Sequence, residues 1–203
     1  MKITAIKQQL KNPERVSIFV DEKYGFSLNL AELITYKLKK DLELSQVDVK
    51  RLKKISDDGK LRARALEWLL NRPHSIREFK DYLYRKKADP ELAAALTQEF
   101  SDKNYLNEQK FGEWLIELHQ RRGKSNRAIR AELFKKGLGR EMIDELMESQ
   151  AEDEGQRLKN LISKKRKSSR YKNDPQKLAK YLTAQGFGYG MVKEALSIDS
   201  SEE

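Results

Sequence analysis

Two short patterns of cations and aromatics carry the chemistry this sequence offers. Arg77, Lys80 and Tyr84 stand at i, i+3 and i+7, and Arg127, Arg130 and Phe134 repeat that spacing fifty residues later. On a helix such a spacing draws a stripe along the flank of the buried face. A cationic stripe with an aromatic can hold backbone phosphates and stack a base, and it can equally grip acidic side chains on a protein surface. The competing reading makes Tyr84 and Phe134 core residues and leaves the cations merely solvated. Two denser segments add to the stripes. One holds Arg121, Arg122, Lys124, Arg127 and Arg130; the other holds Lys164, Lys165, Arg166, Lys167, Arg170 and Lys172. Neutralising phosphates releases counterions, so several cations in register give salt-sensitive affinity for nucleic acid. The plain alternative is a pair of basic loops with no fixed partner.

The rest of the composition points the same way and away from catalysis. The net charge is +10, which predicts an acidic partner, either nucleic acid or an anionic protein surface. There is no cysteine, so disulfides and thiolate metal sites are excluded. His74 and His119 are the only histidines, and neither has a second ligand at metal spacing or a nucleophile partner. Gly137-Leu138-Gly139 lacks the lysine and preceding strand of a phosphate-binding loop. The expectation is a protein without enzymatic activity, cofactor or metal. No apolar run is long enough to span a membrane, and Met1 to Leu10 has no signal-peptide core. A cytoplasmic monomer with no membrane association is expected.

The elements that must position these cations form a repeat. A shift of fifty residues carries Ser75 onto Ser125, Phe79 onto Ile129, Leu83 onto Leu133, Leu92 onto Met142 and Leu96 onto Leu146. A looser copy places Leu178, Leu182, Gly186, Met191 and Val192 where Ile129, Leu133, Gly137, Met142 and Ile143 stand. Fixed-period similarity marks units that cannot bury their apolar faces alone and share a core with neighbours. Each unit reads as three helices. In the first, Leu61 to Leu69 lies before the stop at Arg72-Pro73, Ser75 with Glu78 starts the second helix, and Asp89-Pro90 starts the third. Trp68, Tyr105, Phe111 and Trp114 fall at core periodicity, so packing outranks base stacking for them.

The first thirty residues differ. Ile3 to Lys7, Val16 to Val20 and Phe26 to Leu28 read as three antiparallel strands, with turns at Asn12-Pro13-Glu14 and Glu22 to Gly25. Asn29 with Glu32 and Ser45 with Asp48 open two covering helices. Leu30, Leu33, Ile34 and Leu38 supply the first apolar face; Val47, Leu52 and Ile55 supply the second. The predicted fold is mainly α: three tandem three-helix repeats in an elongated, curved array, preceded by a small β-meander with helices. The predicted divisions are 1–56 for the meander and its helices, 57–103, 104–151 and 152–197 for the repeats, and 198–203 for an acidic tail.

One set of motifs is specific. Asn104-Tyr105-Leu106-Asn107-Glu108 precedes Phe111 and Trp114; Arg121-Arg122-Gly123-Lys124 follows, then Ile129, Leu133 and Gly137 at four-residue steps. This order resembles the RecX family, regulators of the RecA recombinase. Ala65-Leu66 with Arg72-Pro73-His74-Ser75 is similar to the family's opening unit, and Lys180 to Leu196 to its last. The resemblance covers Leu61 to Leu196; the third unit departs from it in lacking the tyrosine-leucine and tryptophan landmarks of the second. The resemblance implies a curved array of three-helix units that lies along the RecA filament on single-stranded DNA. It implies bridging of protomers and restraint of ATP hydrolysis, filament growth and strand exchange. The expected partner is therefore the RecA filament, with direct contact to the single-stranded DNA left open. A stand-alone nucleic-acid binder and a scaffold for another acidic protein are the alternatives.

Overall fold

The computed structural model describes residues 1–150 and 153–199. Glu152, in the acidic run before the third repeat, and residues 200–203 of the expected tail lie outside them; residues 198 and 199 close the last helix. The chain is mainly helical, with a three-stranded antiparallel sheet at its N-terminus and eleven helices among the described residues. It divides into two compact units, Met1–Asn71 with Leu83–Gln98, and Arg72–Tyr82 with Glu99–Glu203.

In the first unit, β1 (Ile3–Gln9), β2 (Asn12–Val20) and β3 (Lys23–Asn29) pair in sequence order. Ile6 faces Ile18, which faces Phe26, and Val16 faces Leu28. One face of the sheet thus becomes continuous hydrocarbon, with Ile3, Ile18 and Leu28 fully buried. Both turns sit earlier than the sequence suggests. Gln9 pairs with Asn12, so Leu10-Lys11 makes the first turn and Pro13 joins β2 near its start, where a missing N–H costs least. Asp21 and Glu22 make the second with φ of 47° and 66°, the doubly left-handed geometry that suits the twist of a two-residue hairpin.

Helix α1 (Leu30–Thr35) carries the expected capping box between Asn29 and Glu32. It ends short of Leu38, because Lys37 turns left-handed at φ 50° and Leu38 N–H returns to the Leu33 carbonyl at 3.1 Å. That reversal drops Leu38 into the core, while Ile34 stays 75% exposed instead of packing inward. Helix α2 (Gln46–Leu70) covers the sheet through Val49 and Leu52; Val47, expected inward, is exposed. Its Ser45–Asp48 capping box satisfies two orphan amides, so Ser45→Ala is expected to cost about 1 kcal/mol of stability, read as a lower urea midpoint.

Helix α2 continues unbroken through Asp57 and Asp58, across the division expected between residues 56 and 57. Neither aspartate removes a backbone donor, so nothing there forces a stop. Ser56 spends its hydroxyl on the sheet, accepting from Ser27 N–H at 3.2 Å, and Asp57 pairs with Lys60 one turn on. Helices α3 (Ile76–Arg85) and α4 (Pro90–Asp102) follow at the expected starts, with Ser75 Oγ accepting from Glu78 N–H and Asp89 from Leu92 N–H.

The second unit contains two helix triplets of the same plan. Helices α5 (Glu108–Arg121), α6 (Asn126–Lys135) and α7 (Arg140–Ser149) close around Phe111, Ile116, Ile129 and Leu133. Helices α8 (Glu154–Arg166), α10 (Pro175–Ala184) and α11 (Tyr189–Asp199) close around Leu158, Leu178, Leu182 and Phe187. A one-turn helix, α9 (Ser169–Lys172), stands inside the segment expected to be a basic break. Its Tyr171 is buried against Tyr181 at 5.4 Å between ring centroids, and that aromatic anchor fixes the turn. Of Met191 and Val192, both aligned with core positions of the second repeat, Val192 is fully buried and Met191 is 40% exposed.

The unit stacks by one contact used twice. Gly137, left-handed at φ 97° after α6, lies against the first turn of α3, where a Cβ would meet Arg77 Cβ at 3.0 Å. Gly186, left-handed at φ 101° after α10, lies against the first turn of α6, where a Cβ would overlap Ser125 Oγ and reach Ala128 Cβ at 2.7 Å. The residue before each glycine ties the junction. Lys136 reaches Glu78 at 2.7 Å, and the Gln185 carbonyl accepts from Ser125 N–H at 3.1 Å. The fifty-residue period is thus a period of helix-end against helix-start contacts. Glycine recurs there because it permits the left-handed turn and the close approach together.

Candidate anion-binding surface

The cations singled out by the sequence fall into three environments. Those of the two stripes are on α3 and α6. Arg77, Lys80 and Arg127 are exposed, and so are the aromatics: Tyr84 at 84% and Phe134 at 66%. Neither ring is core, so each stripe presents an aromatic to solvent. Arg130 is the exception among the cations, because it forms an ion pair with Asp144 of α7.

The second environment is a recess of about 440 Å³. It brings together Arg121 and Arg122 from the end of α5 with Lys164 and Lys165 from the last turn of α8, so the two dense segments meet. Leu161 and Gly123 line it between them; Gly123 is left-handed at φ 72°, and a Cβ there would come within 2.9 Å of Leu161 Cδ2. Lys165 Nζ lies 4.7 Å from the centre of the Tyr181 ring, which holds that ammonium at the rim. A fifth cation, Arg157, is nearly buried at 5% exposure. Its guanidinium donates to the Lys124 carbonyl at 2.8 Å and to Asn126 Oδ1 at 3.2 Å, and Asn126 N–H donates to Glu154 at 2.7 Å. Arg157 therefore fixes the Gly123-Lys124 loop and positions the wall carrying Arg121 and Arg122.

The third environment is the surface outside the recess. Lys167, Arg170 and Lys172 are exposed, Lys124 and Arg166 are half-buried, and the Arg170 guanidinium lies 5.5 Å from the Tyr171 ring. Sequence reasoning missed Arg157, Tyr171 and Tyr181. Arg157 adjoins Leu158 and reads as one more flanking charge; only the neighbouring loop, more than thirty residues away in sequence, reveals its role. Among the described residues no group of His, Asp and Glu could hold a metal ion, and no helix is long and apolar enough to cross a membrane.

Glu78 dominates the electrostatics of the α3–α6 junction. Burial pushes its pKa up, but hydrogen bonds from His74, Arg72 and Lys136 outweigh this and hold the carboxyl well below the usual carboxylate range. Arg72 donates to it at 2.9 Å, and His74 Nδ1 lies 3.3 Å from the same oxygen. The guanidinium of Arg72 also stands 4.9 Å from the Trp114 ring centre, so Trp114 is engaged in packing.

Comparison with known proteins agrees with this architecture. A family model described as the regulatory protein RecX N-terminal domain matches residues 1–45, and one described as the RecX second three-helix domain matches residues 107–147. The regulatory protein RecX of Listeria innocua is 33% identical over 210 residues, spanning all of this chain and 77% of that protein. That of Bacillus subtilis is 31% identical over 200 residues, spanning 96% and 75%. A crystal structure of a regulatory protein RecX superposes with a TM-score of 0.68 at 23% identity, covering 95% of this chain and 97% of the other. The RecX of Lactobacillus salivarius gives 0.55 at 18% identity, covering 70% and 95%. The two structures speak for the fold; similarity above 30% identity over nearly the whole of this chain and three quarters of the relatives, together with the matched sheet and three-helix domains, makes this chain a member of the RecX family of regulatory proteins.

Proposed function

We propose that this chain binds the RecA filament on single-stranded DNA and restrains its ATP hydrolysis and strand exchange. The observation carrying the reading is the recess where Arg121, Arg122, Lys164 and Lys165 converge, in a chain of a regulatory family with a net charge of +10. The exposed stripes on α3 and α6 supply further contacts, and several weak contacts add when one molecule makes them together. In this reading the repeats divide at 57–103, 104–151 and 152–197, the protein acts as a cytoplasmic monomer, and no covalent chemistry occurs. Arg77, Lys80, Arg127, Lys167, Arg170 and Lys172 are the outer contacts, and Arg130 contributes only by leaving Asp144.

The test is RecA's DNA-dependent ATPase with this protein added substoichiometrically. Inhibition is expected, and its absence at every ratio would count against the proposal. The double variant Arg127→Glu, Phe134→Ala changes exposed side chains, so stability is expected to hold within about 0.5 kcal/mol. About tenfold more of it is expected to be needed for half-inhibition, since contacts acting together multiply. Binding to bare DNA as tight as to the RecA-coated strand at equal salt would favour a stand-alone nucleic-acid binder.

A further inference from the structure

The α5–α8 recess has an unusual charge balance. Arg121, Arg122, Arg157, Lys164 and Lys165 line it, and among the described residues no aspartate or glutamate does. A recess of about 610 Å³ in the other unit is the contrast: Lys54, Lys60, Arg64, Lys86 and Lys87 share it with Asp57, Asp58 and Asp89, so part of its charge is met from within. In the α5–α8 recess the described residues give Arg121, Arg122, Lys164 and Lys165 little compensation. Arg121 has only a long contact to Glu117 at 3.8 Å, and Arg157 is spent on the neighbouring loop. The C-terminal ends of α5 and α8 offset some of this charge, but a helix end carries only about half an elementary charge. Two cationic walls therefore face each other across a cleft, and they repel unless an anion lies between them.

The shape of the site decides which anion. Arginines on one wall and lysines on the other match oxyanions on a repeating strand, because guanidinium offers a planar fork and ammonium a point charge. The aromatic ring of the recess is already engaged: Tyr181 carries Lys165 over its ring and packs on Tyr171. Little ring surface is left to stack a base.

We infer that this recess is a phosphate-ester clasp, which takes consecutive phosphates between α5 and α8 and reads no base. The bound phosphates bridge the walls, so occupancy also tightens α8 against α5. The site stands on these walls whether or not RecA is the chain's target. Its phosphates come either from a nucleic-acid backbone or from a free phosphate ester such as a nucleoside triphosphate.

The experiment uses the full chain without RecA. Binding is measured for a labelled oligo-dT strand, for an abasic strand of equal length, and for ATP and pyrophosphate, with an oligo-glutamate peptide as competitor. The dT and abasic strands are expected to bind within about twofold of each other, since backbone charge carries the affinity. Arg122→Glu with Lys164→Glu is expected to weaken both by at least about tenfold. Lys193→Glu with Lys177→Glu, an equal charge change at exposed positions outside the recess, is expected to weaken them far less. The milder Arg122→Gln with Lys164→Gln guards against misfolding; for it the slope of log affinity against log salt is expected to fall by about 1.4, two lost contacts at about 0.7 each. Binding of ATP and pyrophosphate alone, abolished by the same variants, assigns the clasp to free phosphate esters. Loss of binding on removal of the bases overturns the inference. So does equal competition by oligo-glutamate, or affinity for every phosphate ligand that the recess variants leave unchanged.

Discussion

Glu78→Ala is expected to destabilise the second unit by about 2–4 kcal/mol, a large loss for one exposed-to-buried boundary residue. The carboxylate is 14% exposed and accepts from Arg72 and Lys136, with His74 beside it. Removing it takes a charged acceptor from Arg72 and Lys136, which are 35% and 31% exposed, and a hydrogen bond to a charged group contributes about 1.5–3 kcal/mol before solvent screening reduces it. Lys136 stands 58 residues away in sequence, so the loss falls on the packing of α6 against α3 rather than within either helix. The measurement is the urea midpoint of the variant. A double-mutant cycle with Lys136→Met should return a coupling of about 1–3 kcal/mol; a coupling near zero would remove the junction role. The pH dependence has a fixed sign. In the folded chain the Glu78 pKa lies below its unfolded value of about 4.5, so the stabilisation is complete above that value. It is lost as pH falls from about 4.5 through the lower folded pKa, and Glu78→Ala should show a correspondingly flatter loss of stability in that acid range.

The second large effect is expected at Gly186. Its φ of 101° is a region that side chains with a Cβ rarely adopt, at a cost of about 1–3 kcal/mol. An added Cβ would also overlap Ser125 Oγ and crowd Ala128, and the Ser125 N–H bond to the Gln185 carbonyl holds that contact in place. Gly186→Ala is therefore expected to cost about 3 kcal/mol, read by thermal or urea unfolding. Gly190→Ala is the internal control. It sits in the first turn of α11 with nothing within 4 Å of the added carbon, so it should be neutral or stabilise by up to about 0.5 kcal/mol. Equal effects at the two glycines would mean that the close approach at Gly186 does not matter.

Several features were legible because they are local. A helix start is a short-range hydrogen-bonding problem, so Asn29, Ser45, Ser75 and Asp89 announced their helices, and the structure has the cap bonds at each. The alternating apolar pattern announced the sheet. The two hairpin turns shifted because strand pairing, which depends on the partner strand, decided where each strand ended. Helix α2 ran on past Asp57 because its length is set by the sheet and side chains it packs on, and Ser56 bonds the sheet at that point.

By itself, then, the sequence determined a mainly helical chain with a small sheet, a fifty-residue period, an excess of cations and the ends of most helices. Tertiary structure alone decided which cations act together. Arg122 and Lys164 are forty-two residues apart and meet in one recess, while Arg130, within the same basic segment as Arg122, turns to Asp144. The difference is physical. Caps and periodicity are satisfied within a few residues of backbone, whereas the direction of a charged side chain relative to another helix depends on how whole helices rotate and stack. That stacking rests on Gly137, Gly186 and the Glu78–Lys136 pair, contacts between a helix end and a helix start roughly sixty residues apart.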